Sequence, residues 1–193
     1  MVTRFWWVRH GPTHAKGMVG WTDLVADLSD HAALARLSAH LPGDAVVVSS
    51  DLARAVATAG ALQGTRQRLP HDPALREIHF GTWEMRGFAE VEAEAPDHIR
   101  AFWETPGEVR PPGGESWNDL AARVGGAIDR LLSAHRGRDI IVTAHFGAIL
   151  AALQRARGLD PAEVFAHRID NLSVTCLSHD GSGWQSHGVN HRP

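Results

Sequence analysis

The sequence predicts a three-layer α/β/α domain with a mainly parallel central sheet, overlaid by a small, partly helical excursion at about residues 81–118. Three observations carry this. Short runs rich in Val and Ile alternate with longer stretches at helical spacing. The short runs are apolar on successive residues, as strands covered on both faces must be. No repeat, low-complexity tract or linker divides the 193 residues, so one domain over 1–193 is expected.

In chain order, RFWWVRH (4–10) reads as a buried strand that ends on Arg9 and His10. LSDHAALARLSAHL (28–41) is a helix with Ser29 as its N-cap and Leu34, Leu37 and Leu41 near helical spacing. DAVVVSS (44–50) is a strand, and DLARAVATAGALQ (51–63) a helix opened by Ser50 or Asp51. QRLPHDPALREI (67–78) is extended, although its prolines keep it off a central position. Residues 81–118 mix Trp83, Trp103 and Trp117 with acidic residues and a Pro/Gly run, and form the excursion. A long helix follows over 116–135, with Ser116 and Asp119 suited to its first turn and capping preferred for Glu115 and Ser116. DIIVTAH (139–145) is a strand, and GAILAALQRARG (147–158) a helix with Gly158 past its end. NLSVTCLS (171–178) and GWQSHGVN (183–190) close the chain as a strand pair.

Composition narrows the function classes. Apolar residues at 44% and charged residues at 21% suit a water-soluble chain with a core. A formal charge of -3 gives no overall attraction to nucleic acid or anionic membrane, so any anion site must be a local cluster. The longest apolar region, 140–153, contains His145 and is too short and polar to span a bilayer. The one cysteine, Cys176, rules out an internal disulfide and fits a reducing compartment. Arg9 and His10 interrupt the first apolar stretch, so no signal peptide is read and the cytoplasm is expected. Thirteen histidines raise the question of a metal. No ligand spacing accompanies them, and Gly11-Pro12 opposes the helix that would align His10 with His14, so neither metal nor cofactor is expected.

In open α/β sheets, ligands bind beyond the carboxyl ends of the strands. Arg9, His10, Arg54, Glu77 and His145 all stand there. Singly, each has a structural reading: a hydrogen-bonded histidine, a solvated or paired arginine, a surface glutamate. Together, two arginines and two histidines would bury charge at a cost that a phosphate dianion offsets. Arginine's planar fork binds phosphate oxygens in pairs.

RHGPT (9–13), SSDLARAVATA (49–59), LREIHFGTWE (75–84), PGGESW (112–117) and TAHFGAI (143–149) together resemble the histidine phosphatase superfamily, also called phosphoglycerate mutase-like. The likeness runs in order from residue 4 to about 177, and is greatest to the small phosphatase branch with α-ribazole phosphatase and sugar-phosphate phosphatases. It implies a phosphatase of small phosphomonoesters, metal-independent, with His10 as nucleophile. Arg9, Arg54 and His145 would hold the phosphoryl group, and Glu77, its pKa raised by the covering segment, would be the general acid. The same resemblance assigns phosphate or substrate contacts to Thr13, Arg86 and Phe146. Many relatives carry Asn where this chain has Lys16, and a small or polar residue where it has Phe146. Lys16 would add a cation near the phosphate, or else point to solvent; Arg86 would face substrate, or be a solvated helix residue. The short excursion favours hydrolysis over mutase-type transfer, and the intact His10 and Glu77 disfavour a non-catalytic phosphate-binding module. A small phosphorylated substrate is the expected partner, and tryptophans such as Trp103 leave room for a homodimer.

Overall fold

The computed structural model describes residues 1–193. Six strands form one sheet: β1 (Thr3–Arg9), β2 (Val46–Ser49), β3 (Gln67–Arg68), β4 (Asp139–Ala144), β5 (Val174–His179) and β6 (Trp184–His191), in the order β3-β2-β4-β1-β5-β6. The first four are parallel; β5 runs antiparallel to β1 and β6 antiparallel to β5. The sheet is thus mixed with a parallel centre, as the sequence predicts.

Strand alternation sends side chains into two cores. Val46, Val48, Ile140 and Val142 join Phe5 and Trp7 on the face covered by α5 (Trp117–Ala134) and α6 (Phe146–Arg157). Val47, Ile141 and Val8 point the other way, against Leu34 and Leu37 of α1 (His31–His40) and Ala59 and Leu62 of α2 (Ala53–Gln63). These are the three layers.

Several local expectations need correction. Asp30, not Ser29, caps α1, its carboxylate accepting from Ala33 N–H at 2.9 Å. Neither Ser50 nor Asp51 caps α2. The N-cap position is Leu52, and the Ala53 N–H is taken by Asp23 at 2.7 Å. Ser50 and Asp51 are drawn instead to His145 and Arg76. Only two residues of 67–78 pair as a strand; the prolines then lead into a 3-10 turn at Pro73–Leu75. The excursion holds a 3-10 turn at Gly81–Trp83 and two short helices, α3 (Phe88–Glu94) and α4 (Pro96–Glu104). Ser116 and Asp119 form a reciprocal capping box on α5, whereas Glu115 is paired with Arg123 and does not cap. A five-residue helix, α7 (Pro161–Phe165), was not expected; it sits between α6, which ends at left-handed Gly158, and β5. No helix is long and apolar enough to cross a membrane.

Candidate active site

The three central strands β2, β4 and β1 end side by side, and the residues that follow them converge. At the end of β1, His10 is 7% exposed and its Nδ1 lies 2.6 Å from the Gly11 carbonyl oxygen. A carbonyl only accepts, so Nδ1 carries the proton and Nε2 keeps its lone pair. The backbone around the ring is fixed by His10 N–H to Ala144 O at 3.1 Å, Gly11 N–H to Thr58 Oγ1 at 3.0 Å, and Asn171 Nδ2 to His10 O at 2.8 Å. Burial, helped by the charges of Arg54 and Arg9, pushes His10 down to about 3, so the ring is neutral at ordinary pH.

His145 follows β4, is fully buried, and stands 5.0 Å from His10 between ring centroids. Its Nε2 is 2.6 Å from Ser50 Oγ, while its Nδ1 is buried with no partner in the protein. Burial holds it well below the usual histidine range, with His10, Arg54 and Arg9 acting in the same direction. Arg9 gives Nη1 to Ile169 O at 2.7 Å, packs its guanidinium over Phe146 at 5.6 Å, and leaves Nε buried without a partner. Arg54, 1% exposed in the first turn of α2, donates to the carbonyls of Gly20 and Thr22 at 2.6 and 2.9 Å. It has no carboxylate partner. Burial lowers both arginines, but guanidinium starts so high that both stay charged.

Glu77 completes the cluster. Its carboxyl accepts from Gly147 N–H at 2.9 and 3.1 Å, and from Ile78 N–H at 3.0 Å. A Cβ on residue 147 would collide with Oε1, so glycine is needed for this approach. Burial raises the Glu77 pKa against those amides and the two arginines. The apolar wall beside it includes Phe102 and Trp103 of α4 together with Phe80, Phe146 and Phe165, so the excursion contributes to the low-dielectric setting expected from the sequence. Arg123, paired with Glu115, holds the Arg76 and Glu77 carbonyls at 3.1 Å.

Arg9, His10, Arg54, Glu77, His145 and Phe146 are therefore brought together. Thr13 lies half-buried in the following turn. Lys16 is exposed and enters no hydrogen bond or ion pair, and Arg86 is spent on Glu90 at 2.8 Å and Glu94 at 2.6 Å. Arg86 thus stands in local ion pairs, the one with Glu90 at i,i+4 spacing. Sequence reasoning missed Ser50, whose partner is 95 residues away, and the Gly20–Thr22 segment that receives Arg54.

The comparisons with known proteins fall in with this geometry. The family described as the histidine phosphatase superfamily (branch 1) matches residues 5–192. The chain belongs to that superfamily. An adenosylcobalamin/alpha-ribazole phosphatase of Escherichia coli is 31% identical over 86% of this chain and 85% of its own. A glucosyl-3-phosphoglycerate phosphatase of Mycolicibacterium vanbaalenii is 36% identical over 80% of this chain and 74% of its own. The solved structure of YhfR from Bacillus stearothermophilus superposes with a TM-score of 0.87 at 25% identity, covering 95% of each chain. The chain spans about half the length (52%) of mycobacterial relatives at 30% identity, among them a bifunctional protein of Mycobacterium tuberculosis.

Two histidines kept neutral by burial make stability depend on pH. A depressed pKa means that the folded state binds fewer protons, so stability from this source is complete above the unfolded value near 6.5. For His10 it is lost as pH falls through the window toward about 3. Glu77, with its pKa raised, works the other way: its contribution is present below its ordinary 4.5 and lost as pH rises. Between pH 7 and pH 5 the His10 contribution should fall by about 2 kcal/mol. Urea denaturation at the two pH values measures this, and His10→Gln should flatten the dependence by that amount. An unchanged slope would show that His10 is not held neutral.

Proposed function

We propose that the protein is a metal-independent phosphomonoesterase that works through a phosphohistidine on His10. One observation carries the reading: a neutral histidine with Nδ1 locked and Nε2 bare lies between buried Arg54 and half-buried Arg9, neither of which has a carboxylate partner. Unpaired buried charge is expensive, and a phosphate dianion resolves it. Arg9 Nε and His145 Nδ1, both buried without partners, are further donors suited to phosphoryl oxygens when Ser50 donates its hydroxyl to His145 Nε2.

In the first step His10 Nε2 bonds to phosphorus as the ester P–O bond breaks, and protonated Glu77 gives its proton to the departing alkoxide. In the second, Glu77 takes a proton from water as its oxygen attacks phosphorus and the N–P bond breaks. Orthophosphate leaves and both side chains return to their starting states. Arg9, Arg54 and His145 stabilise the equatorial oxygens in each step.

The substrates named for the relatives, α-ribazole phosphate and glucosyl-3-phosphoglycerate, head the candidates. A screen of these esters in excess chelator tests the reading. Hydrolysis should proceed undiminished because arginine supplies the cationic stabilisation. Activity lost to chelator and restored by a divalent ion would overturn it.

A further inference from the structure

Arg54 is held by main chain alone, and the main chain that holds it is itself held by one side chain. The Glu84 carboxylate accepts five hydrogen bonds: from Trp21 N–H at 2.8 Å, Gly20 N–H at 3.1 Å, Thr22 N–H at 3.2 Å, Thr22 Oγ1 at 2.7 Å and Phe80 N–H at 3.1 Å. Three successive amides thus face Glu84, while the carbonyls of Gly20 and Thr22 face Arg54. In the planar trans peptide joining Gly20 to Trp21, the Trp21 N–H given to Glu84 points opposite to the Gly20 carbonyl given to Arg54, so fixing one aims the other. The Thr22 carbonyl lies in the next peptide and is steadied because Thr22 is anchored on Glu84 by both its N–H and its hydroxyl. The segment also reaches the general acid: Trp21 Nε1 donates to Glu77 O at 2.8 Å, and the indole lies under the Arg76 guanidinium at 4.7 Å.

Resting on the assignment of Arg54 to phosphate, we propose that Glu84 is a positioning residue, orienting the Arg54 guanidinium through the carbonyls of Gly20 and Thr22. The segment admits little else. A Cβ at residue 20 would collide with Ile78 O and approach Glu84 Oε1, so glycine lets the backbone close on the carboxylate. The five donors, outweighing the cost of burial, hold the Glu84 pKa below the usual range, so the residue is an anion at neutral pH. Its charge also compensates Arg54, whose other acidic neighbours are Glu77 and Asp23. A glutamine would leave an NH2 group facing amide donors whichever way it turned. The segment would shift, and the two carbonyls with it.

Binding of orthophosphate alone, read by titration calorimetry, tests this without requiring turnover. Glu84→Gln should raise the orthophosphate Kd about tenfold, and Arg54→Lys at least as much. In the Arg54→Lys background, Glu84→Gln should add less than about threefold, since both changes disable one unit. Thr22→Val, which removes one of the five bonds, should weaken binding about threefold in the native background and not in Arg54→Lys, and serves if Glu84→Gln does not fold. A Kd unchanged by Glu84→Gln, or effects that simply multiply with Arg54→Lys, would overturn the positioning role. A native protein that binds orthophosphate but hydrolyses no ester would instead overturn the proposed reaction.

Discussion

Replacing His10 with alanine is expected to abolish turnover, with kcat falling by at least about 10⁴-fold. Nothing nearby can replace it. His145 presents Nε2 to Ser50 and lies deeper, and Glu77 is tied to the Gly147 and Ile78 amides. The lost group is the proposed nucleophile, an imidazole of fixed tautomer whose lone pair is free at neutral pH because burial prevents protonation. Orthophosphate should still bind His10→Ala, because the arginines remain. Labelled ester stopped in alkali, where a phosphoramidate survives, should leave one phosphate on His10 in the native protein and none in the variant. Label on any other residue, or a variant within tenfold of native activity, would refute the nucleophile assignment.

The second large effect is selective. Glu77→Gln should slow the release of alkyl alcohols by about 10²- to 10⁴-fold while an activated aryl phosphate loses far less, because a good leaving group departs without a proton. Measuring the first turnover isolates this step from the proposed phosphohistidine hydrolysis, in which Glu77 would act again. The raised pKa supplies a second signature. Alkyl phosphate cleavage needs the protonated acid, so its rate should fall as pH rises through the Glu77 pKa, and this alkaline limb should vanish in the variant. Equal losses for both ester types in the first turnover would remove Glu77 from the role of acid.

The parts of this arrangement legible in sequence are those tied to strand periodicity. Arg9-His10 and His145 were placed because each ends an apolar run, and strand ends are where an α/β sheet opens. Arg54 and Glu77 came from the same reasoning one turn or one loop later. What escaped was decided by partners distant in the chain. Ser50 looked like a helix cap, as serine before a helix usually does, but a histidine 95 residues away claims its hydroxyl. Glu115 likewise left its expected cap for Arg123 and the His79 amide. Glu84, the acceptor of five bonds, ends a block that carries the family resemblance, but its spacing and neighbours do not show which amides it would bind. The pairing of Arg86 with Glu90 is of another kind, since Glu90 stands four residues on and the contact is readable directly from spacing.

The order β2-β4-β1 means that Ser50, His145 and His10 each follow one of three adjacent strands. Their separation is inherited from the hydrogen-bond ladder, whose strands stand about 4.8 Å apart, and the 5.0 Å between the two imidazole rings matches that repeat. The backbone points from which these side chains start are therefore set by strand pairing, and the rings are then fixed by the Gly11 carbonyl and the Ser50 hydroxyl. Adding or deleting one residue within β1 or β4 would turn its terminal histidine to the opposite face and dismantle the pair in one step. The loops outside the ladder carry no such constraint on length. A one-residue insertion in the covering segment should therefore leave the His10–His145 pair intact, whereas the same insertion inside β1 or β4 should destroy it.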